Sequence, residues 1–329
     1  MARLLLIGLL VMYAKAMPLN AQNRVELDAF SLDNGLSDRI VRQIFRDREG
    51  FLWIGTRNGL NRFDGRNFYV YDSYRPAPYH ITADDIASIS QLRNGKLVLV
   101  YHGKTDGFDL LDPSTGQLTP IHLPEQIRIQ QVLTTQTGDL FLIARQNNAC
   151  SLWRLDEAGS KLIQLVDLPA DLSPGPAHAD VAGNIWITTR EKSSSISLVV
   201  YNHFGKRLRT TALNPMPGKE PSSVSFFETS KGEVWLILGQ TGVYFYNPKT
   251  DSFLLHPTLP KDFDFLILQE DLLGNILFQT SDKAGKATSL FLLEPNGRLA
   301  DYRYLLKYSP QNNVFYSADF TSGMISGTG

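Results

Sequence analysis

The chain has 329 residues, a formal net charge of −1, 43% hydrophobic residues and 20% charged residues. That balance can build a sizeable apolar core, and it supplies no basic field to hold nucleic acid or an anionic membrane. A single cysteine, Cys150, excludes any internal disulfide, so packing has to hold the fold together.

In chain order the first predicted element is an export signal. Arg3 precedes an apolar run, Leu4 to Tyr13, that is long enough for a signal-peptide core. It is too short to cross a bilayer, which takes roughly 20 apolar residues. Small residues follow at Ala14-Lys15-Ala16 and at Leu19-Asn20-Ala21. Residues 1–21 are therefore expected to be a signal peptide, cut after Ala16 or Ala21. Residues 22–329 are left as one exported, periplasmic domain.

A repeat then organises the rest. Gly50, in the segment Asp47 to Thr56, is matched by Gly95, Gly138, Gly183, Gly232 and Gly274. A partial copy has Asp319, Ile325, Gly327 and Thr328 in register and Ser322 at the glycine position. The steps between markers run from 42 to 49 residues. Two residues after each glycine stand Leu52, Leu97, Leu140, Ile185, Val234 and Ile276, and two further on Ile54, Leu99, Leu142, Ile187, Leu236 and Phe278. Period two means strand. The position between is also bulky (Trp53, Val98, Phe141, Trp186, Trp235, Leu277), so the strand is buried on both faces and belongs between packed sheets.

Each marker strand is preceded by one strand (Val41 to Phe45 in the first unit) and followed by two more. In that unit these are Gly59 to Phe63 and Asn67 to Tyr71, joined through Asp64-Gly65-Arg66, a strong hairpin signal. Phe108 to Leu111 and Val243 to Tyr246 repeat the plan. Four strands in about 45 residues is the arithmetic of a β-propeller blade. The expected fold is all-β, a seven-bladed β-propeller of four-stranded blades with an incomplete, truncated last blade. Val25 to Leu32 could add an outer strand that closes the ring. Cys150, at the start of a strand, is expected to be a half-buried, inert thiol.

These segments resemble the two-component regulator propeller family. The resemblance is carried by Gly35-Leu36-Ser37, by Asp47 to Thr56, and by Gly59-Leu60-Asn61-Arg62-Phe63-Asp64-Gly65. It is close in the first unit, weaker but in register through the next five, and partial in the seventh. It implies the periplasmic sensor region of a hybrid histidine kinase receptor, often one that recognises oligosaccharides, with a homodimer in the full-length receptor. The kinase modules and membrane helix of that family do not occur in these 329 residues.

For chemistry, Asp47, Asp180, Asp271 and Asp319 recur three residues before the marker, where an aspartate bonds turn amides. No motif picks out the opposed carboxylates of a glycosidase. No two histidines stand at metal-ligand spacing, and no G-x-S-x-G elbow occurs. Neither a metal nor a cofactor is expected. Seven residues after each marker, however, stand Arg57, His102, Arg145, Arg190, Gly239 and Ser281. A propeller brings these turns to one end, making a cationic rim able to clamp a carboxylate or sulfate. Asn58, Tyr101 and Gln240 would add hydrogen bonds or stacking. The expected function is non-catalytic ligand sensing; a secreted glycosidase or lyase and a protein-binding scaffold are the alternatives.

Overall fold

The six glycine-marked segments each form a strand, and each of those strands lies second in a four-stranded antiparallel sheet. The computed structural model describes residues 30–169, 173–190, 196–213, 221–259, 264–271, 273–281, 287–301, 314–319 and 323–327. The first blade is β1 (Val41–Arg46), β2 (Leu52–Thr56), β3 (Gly59–Phe63) and β4 (Phe68–Tyr71), in that spatial order. Strands β5–β8, β9–β12, β13–β16, β17–β20 and β21–β24 make five more blades of the same order. Residues 1–21, with the expected signal peptide, lie outside the described residues.

The ring differs from expectation in its last unit. Six blades have four strands, not seven: β25 (Val314–Asp319) and β26 (Gly323–Gly327) form a sheet of two. These are the strand ahead of the last marker and the marker strand itself. The described residues hold no third or fourth partner for them. First strands line the axis. Strand β1 packs against β5 (Ile86–Gln91) and against β25, and β25 also packs against β21 (Asp264–Glu270). The two-stranded sheet thus sits in the seam between the sixth blade and the first. The expected closing strand does not appear where it is described, since Leu32 opens a short 3-10 helix, Leu32–Asn34, capped by Ser31. Its earlier part lies outside the described residues.

The core is divided among the seams between blades. Trp53, Leu60, Ile86, Leu97 and Leu99 fill the first seam, and Phe108, Leu110, Leu140 and Leu142 the second. Phe141, Ile143, Leu152 and Ile187 fill the third, where Cys150 is a buried free thiol. The residues on both faces of the marker strands are buried: Trp53, Val98, Phe141 and Leu277 are 0% exposed, and Ile54 and Phe278 1%. Burying a large apolar side chain stabilises by about 1.5–3 kcal/mol, so each strand draws on both neighbouring seams. Gly55 has to be small for the same reason, because a Cβ there would lie 2.6 Å from Ile86.

Polar bonds align the blades. The Gln43 side chain donates to the Ile89 carbonyl (3.1 Å) and accepts from the Ile89 amide (2.7 Å). Gln131 does the same to Gly175 and Ala177, at 2.6 and 2.9 Å. The recurring aspartate has the expected structural role. Asp47 accepts from the Phe51 amide (2.9 Å) and the Trp53 indole (2.7 Å); Asp180 accepts from the Asn184 amide and the Trp186 indole, both at 2.8 Å. The marker glycines close these turns with φ from +78 to +95°, a region costly to other residues. In the fifth blade Thr229 takes the aspartate position; it reaches the Glu233 amide at 3.1 Å but leaves the Trp235 indole buried without a partner.

Replacing Asp47 by Ala leaves the Trp53 indole N–H and the Phe51 amide unsatisfied. Hydrogen bonds to charged groups contribute about 1.5–3 kcal/mol each. Urea unfolding followed by tryptophan fluorescence is expected to show a loss of about 3 kcal/mol for Asp47→Ala, whereas Thr229→Ala loses about 1 kcal/mol, having no indole to release.

Candidate functional site

Antiparallel order sets which loops meet. Val41, at the start of β1, pairs with Thr56, at the end of β2. The turns from second to third strand therefore lie at the same end as the starts of the first strands. Residues 57–58, 102–106, 147–148 and 239–241 are such turns. The corresponding residues 191–195 and 282–286 lie outside the described residues.

In the first blade this end is held by one polar network. The Ser37 amide donates to Asn61 Oδ1 (2.9 Å), and Asn61 Nδ2 donates to Ser37 Oγ (2.8 Å) and to the Ile54 carbonyl (3.1 Å). Thr56 Oγ1 lies 2.9 Å from Ser37 Oγ and donates to the Gly59 carbonyl (2.8 Å). The Asn58 amide closes the turn on Thr56 Oγ1 (3.1 Å). The three segments that looked like one family motif are thus physically joined: the lead-in, the end of β2 and the start of β3. Asn61 is 0% exposed and Leu36 beside it is buried.

The second blade repeats the arrangement with different chemistry. Thr82, Tyr101 and Asp109 stand in register with Ser37, Thr56 and Asn61. The Thr82 amide donates to Asp109 Oδ2 (3.1 Å), as does the Tyr101 hydroxyl (2.5 Å). Burial, followed by the Asp109 charge, pushes the Tyr101 phenol well above its usual value. It therefore stays a neutral donor.

The candidate rim residues separate on this frame. Arg57 and Asn58 are exposed on the first turn, and the Arg57 amide is held by the Ile40 carbonyl at 3.0 Å. His102 is exposed, its amide bonded to the Asp85 carbonyl at 2.7 Å. Arg145, near the end of β10 (Leu140–Gln146), is half-buried. Gln240 takes φ +60° and donates to Asp264 Oδ2 in the next blade at 3.2 Å. Arg190 ends β14 (Ile185–Arg190); its side chain lies outside the described residues. Tyr101 is not on the rim surface, being 2% exposed with its hydroxyl committed to Asp109.

One rim residue escaped the repeat. Arg128, exposed at the start of β9 (Ile127–Thr134), pairs directly with Arg145 across β9 and β10. Arg128 stands ten residues before its marker, where the first two blades have Ile40 and Asp85 facing the same turn position, so no recurring residue type draws attention to it. Among the described residues no three His, Cys, Asp or Glu side chains come together to hold a metal ion.

The opposite end carries grooves between blades. One of about 310 Å³ between the first and second blades is lined by Asp47, Phe51, Asn94, Lys96 and Asp112. Similar ones of about 270 and 210 Å³ follow at other seams. Their repetition at corresponding seams marks them as wedges left by radial packing.

Residues 35–58 match the family model described as two component regulator propeller, the span from Gly35 through the Ser37–Thr56 contact to Asn58. Histidine kinase P4 of Formosa agariphila is 46% identical over 57 residues, which cover 17% of this chain and 4% of that protein. The extracellular domain of BT4673 from B. thetaiotaomicron, described as a hybrid two component system, superposes with a TM-score of 0.58 at 17% identity, over 89% of this chain and 37% of that one. Virginiamycin B lyase from Staphylococcus aureus superposes at 0.55 with 14% identity, over 84% and 88% of the two chains. At these identities the superpositions establish the propeller fold alone. The chain spans well under half the length of the two-component proteins it matches.

Substituting Asn61 by Ala removes the centre of the Ser37 network. Hydrogen exchange at the Ser37 amide is expected to accelerate at least tenfold in Asn61→Ala, with exchange in the sixth blade unchanged. Equal acceleration in both places would mean global destabilisation instead of a local tie.

Proposed function

We propose that this two-component regulator propeller is the non-catalytic, periplasmic sensing part of a receptor and binds an oligosaccharide at the rim carrying Arg57, Asn58, His102, Arg145, Arg190 and Gln240. The observation that carries the reading is the coincidence of the matched segment with the Ser37–Thr56–Asn61 network, which builds the turn bearing Arg57 and Asn58. Segments with that family's description belong to signalling proteins, and the partial match to histidine kinase P4 favours the same role. Kinase activity would reside in other modules of such a receptor. A homodimer would transmit binding by shifting between two arrangements, through differential affinity for them. Export before folding would place the domain in the periplasm, in keeping with the apolar run at its start. No helix among the described residues is long and apolar enough to cross a membrane.

The lyase alternative has the fold in its favour, as propellers host many activities. No described feature of this chain singles out a reacting group, so the sensing reading is preferred.

Calorimetric titration of the purified protein against neutral and acidic oligosaccharides tests it, with reducing ends assayed in the same samples. The expected result is saturable binding without new reducing ends, weakened about tenfold in Arg57→Ala by loss of a charge-assisted bond. Turnover overturns the non-catalytic reading, and a folded protein that binds no saccharide overturns the choice of ligand.

A further inference from the structure

We infer that Arg128 and Arg145 form a clamp for one oxyanion, the carboxylate or sulfate of an acidic saccharide. The inference rests on the sensing role proposed above and deepens it. The two arginines are direct partners across β9 and β10. Residues so placed have Cβ atoms about 4.5–5.5 Å apart, and like charges there repel.

Among the described residues no acidic side chain relieves that repulsion. Neither guanidinium forms an ion pair among the described residues; Arg145 Nε is buried without a hydrogen-bond partner, as is Arg154 Nε, so the missing counter-charge is what sets Arg145 apart. Among the described residues the Arg128 guanidinium bonds only the carbonyl of its neighbour Ile127, through Nη1 at 2.9 Å. Glu125 is exposed on the preceding loop, and Asp106 on the adjacent turn faces Lys104 at 3.5 Å. Compare Arg154, equally half-buried, which lies 3.8 Å from both Asp139 and Glu157. A protein that neutralises one half-buried arginine and leaves two side by side has a place for an anion.

Arg128 is exposed and Arg145 half-buried, so the pair reaches solvent. Ile127, Ile129 and Ala144 pack into the seam with the second blade, so by strand alternation Arg128 and Arg145 share the other face, on the side of Ile143 and Cys150. Planar forks bind carboxylate or sulfate through paired N–H bonds. A neutral sugar would leave the repulsion in place, so the clamp selects acidic saccharides over neutral ones.

The test uses the full chain and Arg128→Gln, chosen because Arg128 is exposed and its loss leaves the core intact. Melting is followed in sodium chloride and in sodium sulfate at equal ionic strength. Sulfate stabilises proteins generally, so the excess of wild type over variant is the readout. Arg128→Gln is expected to melt higher than wild type in chloride, and sulfate is expected to raise wild type more than the variant, so that this lead disappears. Titration with uronate-containing, sulfated and neutral oligosaccharides then separates the two acidic groups. Affinity for the preferred acidic sugar is expected to fall about tenfold in Arg128→Gln, while Arg128→Lys, which keeps charge without the fork, falls between. Equal responses of wild type and variant to sulfate and to acidic sugars overturn the clamp; neutral sugars that still bind both then leave the sensing role standing. A sulfate excess with no saccharide binding keeps the anion site and overturns its saccharide occupant, together with the choice of an oligosaccharide as the sensed ligand.

Discussion

A strand apolar on both faces cannot lie at a surface, and this constraint shapes the whole molecule. Each second strand here needs apolar cover from two sides, and only a neighbouring blade on either side supplies it. Trp53 and Ile54 adjoin in sequence yet belong to different seams, Trp53 with Ile86 and Leu99, Ile54 with Leu36 and Val41. Stability is therefore assembled from nearest-neighbour interfaces, as in other repeat folds. The first blade looks in one direction to the second and in the other to the two-stranded sheet.

Burial alone would let blades slide, because apolar contact is non-directional. Directional bonds remove that freedom. The Asp47 and Asp180 carboxylates orient turn and indole together, and Gln43 and Gln131 lock inner strands of adjacent blades in register. Where the repeat drifts, the polar chemistry drifts with it: Thr229 keeps the turn amide and abandons the indole. Tyr101 and Asp109 replace Thr56 and Asn61 while conserving the tie to the lead-in residue.

This division of labour leaves chemistry to the loops. Turn residues at the rim carry no packing duty, so their side chains are free to be charged. Arg57 and His102 stand there without cost to the core. Arg145 is different: it is half-buried in a strand and faces another arginine, an arrangement that packing does not favour. Local conflict of that kind, within a fold otherwise consistent from turn to core, is the pattern expected of a functional site.

The blade plan is written locally in the chain. Period-two alternation, a step of 42 to 49 residues and turn chemistry such as Asp64-Gly65 are local properties, and they survive folding because each blade is built from contiguous chain. The strand Gly59–Phe63 and the role of Asp47 were legible for that reason. The rest follows from packing between strands and blades. Counting markers gives seven units, but strand pairing gives six four-stranded blades and a two-stranded sheet, since a marker reports its own strand and not its partners. Tyr101 reads as a rim residue by position yet turns inward to Asp109. Arg128 meets Arg145 only through a register shift between strands. Those are matters of which side of a strand faces what, and only the packed neighbour settles them.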